Sequence, residues 1–197
     1  MIDGPVTLPP VAWAEILAAY STPLRHYHTF GHVREVVRTF ETVPTWTVPN
    51  DVFVAVLYHD AIYEAGRADN EVRSATMAMS AIARFGLDAD AARVGVLIAL
   101  TARHGQIAPD DVDADAAMFL DCDMAILAAA PPTFQAYEAA IAAEYEPIYG
   151  DRYVEGRRAF LKRLLDGNIF LSPLFRDRHE ETAKANIRES LSLLPPA

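Results

Sequence analysis

Three of the chain's six histidines, His26, His28 and His32, fall within one short stretch. His28 and His32 are four positions apart, a spacing that puts two helical side chains on one face, one turn apart. Two imidazoles so placed can reach one cation, or one can ligate while the other moves a proton nearby. A second polar group, His59-Asp60, follows the almost wholly apolar run Val52 to Leu57. A polar pair at such a place is costly unless something satisfies it. Adjacent helical residues point about 100° apart, so both reach one ion only if it sits between them at the helix surface. Taken alone, the dipeptide is equally well a helix-terminal His and a capping Asp. The third group is Asp121-Cys122-Asp123, set in the apolar run Met118 to Leu127. Two carboxylates there call for pairing or for a cation. A solvated face accounts for one of them and poorly for both.

The elements that position these groups read as helices. Pro9-Pro10 opens a first one that runs to about Tyr20 and is broken at Ser21-Thr22-Pro23. Phe30, Val33, Val36, Val37 and Phe40 recur at helical spacing over about Thr29 to Thr42. The next helix, about Val52 to Ile62 with Asn50 or Asp51 as its cap, is apolar nearly all round and belongs at the centre of a bundle. A buried strand is the competing reading, and it has no partner strand. Further helices are expected over Asp69 to Phe85, about Asp88 to Ala102, about Asp115 to Ala130, Pro131 to about Tyr149, about Tyr153 to Leu165 and about Phe175 to Leu193. No repeat, Gly-rich phosphate loop or long linker interrupts them.

The chain has 197 residues, which suits one domain over 1–197 with a sizeable core. Its net charge of −10 makes a nucleic-acid polymer a poor partner. A small phosphorylated substrate remains compatible, because one bound divalent cation inverts the field of a local pocket. The apolar stretches are too short for a membrane span, and the first residues lack the pattern of a secretory signal. With a single cysteine, Cys122, no intrachain disulfide exists, and a cytoplasmic location is expected.

Taken in order, His32, His59-Asp60 and Asp123 resemble the H…HD…D pattern of the HD superfamily of metal-dependent phosphohydrolases. The resemblance implies an all-α HD-domain helical bundle with those four residues as metal ligands. It favours Asp123 over Asp121 because the last aspartate of the pattern opens an Asp-x-x-x-apolar stretch, here Asp123 to Leu127. Asp121 then stands behind the ligand. Tyr27-His28-x-x-x-His32-x-x-x-Val36 is similar to the opening motif of class I cyclic nucleotide phosphodiesterases, which implies that His28 is a general acid beside the ligand His32. The chain is also similar to a small subfamily of predicted HD phosphohydrolases through Arg25 to His28, His59 to Tyr63, Asp69 to Ala75 and Asp121 to Leu127.

These resemblances imply hydrolysis of a small-molecule phosphoester, with nucleotides among the candidates. The cofactor expected is a divalent metal ion: Mn, Fe, Zn, Ni, Co or Mg all accept imidazole with carboxylate. The ion acidifies a bound water and polarises a phosphoryl oxygen. Asp60 is placed to orient that water, and His28 or His104 to protonate the departing oxygen. Glu71, at the start of a helix, is a further candidate base, and Arg25 a bidentate contact to phosphate. Two other readings stand beside this one: a metal- or ligand-binding HD domain without turnover, and a di-iron HD oxygenase drawing extra ligands from His28, His104 and Glu71. His26 and His179 are expected at the surface, Arg157-Arg158 on a solvated face, and Cys122 as a small buried hydrophobe.

Overall fold

Apolar residues at helical spacing dictate helices, and the computed structural model, which describes residues 2–195, is all-α. Among the described residues there are nine α-helices, two short 3-10 turns and no strand. The chain divides into two compact units, Met1–His104 and Gly105–Ala197.

The first unit holds α1 (Pro10–Ala19), α2 (Phe30–Thr42), α3 (Pro49–Tyr58), α4 (Asn70–Phe85) and α5 (Ala91–Thr101). α3 is its axis. Every residue from Asp51 to His59 is buried, and α2, α4 and α5 all pack against it. Val, Leu and Phe side chains buried this completely stabilise the fold by about 1.5–3 kcal/mol each. α2 presents Val33, Val36, Val37 and Phe40 inward and keeps Arg34, Glu35 and Arg38 in solvent. α4 buries the small residues Ser74, Ala75, Ala78 and Ala81, and packs on α5. Gly86 ends α4 in the left-handed conformation, φ +60°, where glycine carries no Cβ penalty. Before α1 the chain lies flat on the core: a Cβ at Gly4 would stand 2.2 Å from the Phe53 ring.

In this unit three boundaries differ from the sequence expectation. α3 begins at Pro49, with Pro at N1 where its missing N–H costs nothing, so neither Asn50 nor Asp51 caps it. Asp51 is buried and accepts from Asp90 N at 2.8 Å, holding the start of the neighbouring helix. α5 begins at Ala91, not near Asp88, because Asp90 is the cap and accepts from Ala92 N and Arg93 N. α3 ends at Tyr58, four residues before the expected Ile62.

The second unit holds α6 (Ala114–Met124), α7 (Pro131–Tyr149), α8 (Arg152–Leu165) and α9 (Pro173–Leu193). α6 is capped by Asp113 and tightens into a 3-10 turn over Ala125–Ala128 instead of continuing as α-helix to Ala130. Asn186 on α9 donates to the carbonyls of Leu127 and Ala129 at 2.8 and 2.9 Å, fixing that turn. Arg157 departs from the expected solvated face. It is 8% exposed, pairs with Glu138, and donates to the Tyr137 hydroxyl at 3.0 Å. His179 is half-buried rather than at the surface, against Phe170 and Phe175, and burial with nearby Arg178 holds its pKa below the usual histidine range. No single helix among the described residues is long and apolar enough to cross a membrane.

Candidate metal centre

His59 follows the last residue of α3 with helical backbone angles. Its Nδ1 lies 2.9 Å from the carbonyl of Val56. A carbonyl only accepts, so Nδ1 carries the hydrogen and Nε2 of the neutral ring presents a lone pair. The same contact explains why α3 stops here. In a continuing helix the Asp60 N–H would go to Val56; instead it donates to the Tyr20 hydroxyl at 3.2 Å. The chain turns, and the Asp60 side chain comes round beside His59.

The result is a convergence of three ligand atoms. His59 Nε2 lies 3.1 Å from His32 Nε2 and 3.0 Å from Asp60 Oδ2, and His32 Nε2 lies 3.7 Å from that same oxygen. His32 is 6% exposed and His59 1%, while the Asp60 side chain is 15% exposed. With Nε2 of a neutral His59 an acceptor, that nitrogen and the Asp60 carboxylate oxygen, 3.0 Å apart, need a proton or a cation between them. Ligands bound to one ion at about 2.1 Å, and about 90–110° apart, stand about 3.0–3.4 Å from one another. The 3.0 and 3.1 Å separations fall in that range and the 3.7 Å one lies above it, and His32 and His59 belong to a cluster that could hold a divalent cation. The Val56 carbonyl is the outer partner that fixes the tautomer of a ligating imidazole.

His28 stands at the edge of this group. Its ring stacks on Tyr63 at 4.0 Å between centroids and lies 6.1 Å from the His32 ring. Tyr27 lies 4.6 Å from the His32 ring. The helical face expected for His28 and His32 is not what joins them, because α2 starts at Phe30 with Thr29 as its cap, and His28 sits in the loop before it.

Glu71 lies half-buried in the first turn of α4. His104 follows α5, half-buried in a turn at the end of the first unit. Arg25 has a task the sequence does not suggest. Nη1 donates to the carbonyls of His28 (2.7 Å) and Asp60 (2.8 Å), Nη2 to that of Ala61 (2.9 Å), and Nε to Thr22 Oγ1 (2.7 Å). Four of its five N–H donors are thus committed within the protein.

Asp121 and Asp123 separate clearly within the second unit. Asp121 is 1% exposed, and its two oxygens accept from Leu171 N at 2.6 Å and Ser172 N at 2.7 Å. Burial pushes its carboxyl up to about 6, against the bonds from Ser172 and Leu171 that hold it down. It anchors the segment leading into α9. Asp123, half-buried, is two positions further along α6 and so points roughly 200° away around the helix.

Sequence reasoning missed the side chains that hold the turn after Asp60. Asn70, 6% exposed, accepts from Glu64 N at 3.1 Å and donates to Glu64 O at 2.9 Å. Ser74, fully buried, accepts from Ile62 N at 3.0 Å and donates to Ile62 O at 3.1 Å. The signal was present: two polar residues four apart at the start of an otherwise alanine-lined helix face. No family model, curated protein or solved structure matches the chain.

Proposed function

We propose that this chain binds one divalent cation through His32, His59 and Asp60 and uses it to hydrolyse a phosphoester in a small molecule, as an enzyme of the HD type. The observation that carries the reading is the meeting of two buried imidazole nitrogens and a carboxylate oxygen at 3.0–3.7 Å. Asp123 enters the proposal as the fourth ligand on the sequence resemblance, and Asp121, whose oxygens are both engaged elsewhere, does not. An ion held by two imidazoles and carboxylates keeps positions open for water and for a phosphoryl oxygen. His28, beside the ligands, is the proton donor to the leaving oxygen, with His104 and Glu71 as further candidates. The buried single cysteine agrees with a reducing, cytoplasmic setting.

The test is elemental analysis of the purified protein, followed by a phosphatase screen on nucleotides and other small phosphoesters with Mn, Fe, Zn, Ni, Co and Mg each supplied. Bound metal with metal-dependent phosphate release supports the reading. Bound metal without release from any phosphoester would redirect it to a binding domain, and two irons per chain to an oxygenase.

A further inference from the structure

Arg25 joins two segments that are far apart in sequence. One is the loop that carries His28 into α2; the other is the turn that swings Asp60 beside His59. A single nitrogen, Nη1, donates to the carbonyl of His28 and to that of Asp60, at 2.7 and 2.8 Å, and Nη2 adds the carbonyl of Ala61 at 2.9 Å. The guanidinium also lies 5.1 Å from the Tyr20 ring centre and 5.5 Å from that of Tyr63. Each aromatic ring then touches the site: the Tyr20 hydroxyl accepts from Asp60 N, and Tyr63 stacks on His28.

The backbone leading into Arg25 points the same way. Leu24 is the one non-glycine among the described residues with positive φ, at +72°, and its side chain is 83% exposed. A left-handed leucine has an energetic cost, and it persists only where surrounding contacts over-determine it. Leu24 has little packing to offset that cost, so the bonds of the next residue do.

We propose that Arg25 is a positioning residue: its planar fork ties the His28 loop to the His59–Asp60 turn and thereby sets where His28 stands against the ligand atoms of the metal centre. The inference deepens the metal-centre reading and rests on it for the meaning of that geometry. It assigns Arg25 a role other than the phosphate contact that its residue type and place in the sequence suggest. A lysine cannot replace it, since a single ammonium lacks the rigid fork whose two terminal nitrogens reach three carbonyls at once.

The test uses Arg25→Ala and Arg25→Lys in the full chain, with circular dichroism and Tm to establish folding. Two quantities are read. One is the set of ring resonances of His28 and His59 in metal-free protein; the other is the affinity for cobalt(II), with its visible spectrum. The expectation is that the His28 ring resonances move in both variants, and that cobalt affinity falls about 10–100-fold in Arg25→Ala, the size seen for outer partners of metal ligands. Arg25→Lys should recover only part of that loss. Wild-type resonances and wild-type cobalt affinity in a folded Arg25→Ala would overturn the proposal. So would a loss confined to binding of inorganic phosphate by the cobalt-loaded protein. If wild type takes up no cobalt, the metal reading falls, and the ring resonances alone decide the role of Arg25. If Arg25→Ala does not fold, Arg25→Lys carries both measurements.

Discussion

His59 Nε2 stands 3.1 Å from His32 Nε2 although 27 residues separate them, and the Nδ1 of His59 is bound to the carbonyl of Val56. One contact therefore does two things. It fixes which nitrogen of His59 faces the cluster, and it takes the carbonyl that would have continued α3. Had Asp60 stayed in the helix, the 100° step between neighbours would have turned its carboxylate away from the His59 ring. Breaking the helix at Tyr58 brings Asp60 Oδ2 to 3.0 Å from His59 Nε2. The geometry of this His/Asp cluster is thus set by how a helix ends.

The first prediction is cation-linked stability. An ion that binds the folded chain at 100 times its Kd adds about 2.7 kcal/mol. For a chain of this size that raises Tm by roughly 5–10 °C. Thermal melts with and without Mn, Zn or Co should show the rise, a chelator should remove it, and His59→Ala should abolish it.

His28 should separate metal binding from turnover. It touches Tyr63 and lies near His32, outside the three-atom convergence. His28→Ala is expected to keep the metal and to lower kcat on any phosphoester the wild type cleaves by about 10²–10⁴-fold, the range for a lost general acid. Metal analysis and kinetics on one preparation check this. Loss of the ion together with activity would make His28 a ligand.

Much of this architecture is legible in the sequence because apolar spacing is local information. Among the described residues each expected helix is present, with the ends of α3, α5 and α6 displaced, and Gly86 and Pro131 end or begin elements as their backbone preferences require. What the sequence hides is long-range pairing with backbone. Arg25 looks like a phosphate ligand because its partners, the carbonyls of Asp60 and Ala61, lie 35 and 36 residues away and have no residue signature. Arg157-Arg158 looks solvated because nothing local shows that Glu138 and Tyr137, on another helix, receive Arg157. His32, His59 and Asp60 stand out in the sequence by residue type alone, and the structure brings their side chains together.

The loop that follows Asp60 should be as sensitive as the ligands themselves. Ser74 Oγ meets both the N–H and the carbonyl of Ile62, so Ser74→Ala leaves two backbone groups without that partner. The expected loss of stability is about 1–3 kcal/mol, the usual penalty for an unsatisfied buried polar group. Because the same loop carries Asp60, metal affinity should fall as well. Denaturant melts of the metal-free variant, followed by cobalt titration, check the two effects separately. A variant with wild-type values for both would show that the loop does not depend on Ser74.

The last prediction concerns Asp121 and Asp123, two carboxylates in one apolar run with opposite tasks. Asp121→Ala removes the acceptor of two buried N–H groups, those of Leu171 and Ser172. It should cost about 2–4 kcal/mol at neutral pH and leave cobalt affinity unchanged. Asp123→Ala should do the reverse, keeping stability and weakening the metal. The cost of Asp121→Ala should also depend on pH, and the sign follows from burial, which pushes the folded carboxyl up to about 6 against an ordinary value of 3.8. Between those values the folded state holds a proton that the unfolded state has released. Folding stability contributed by Asp121 is therefore fully present below about pH 4 and declines as pH rises through about 6. A shift of this size corresponds to a change on the order of 3 kcal/mol. Denaturant melts of wild type and Asp121→Ala across that range should show the difference between them shrinking as pH rises, with no further change above neutrality. A difference that grew with pH would mean that the carboxylate, rather than the acid, is the form the Leu171 and Ser172 amides prefer.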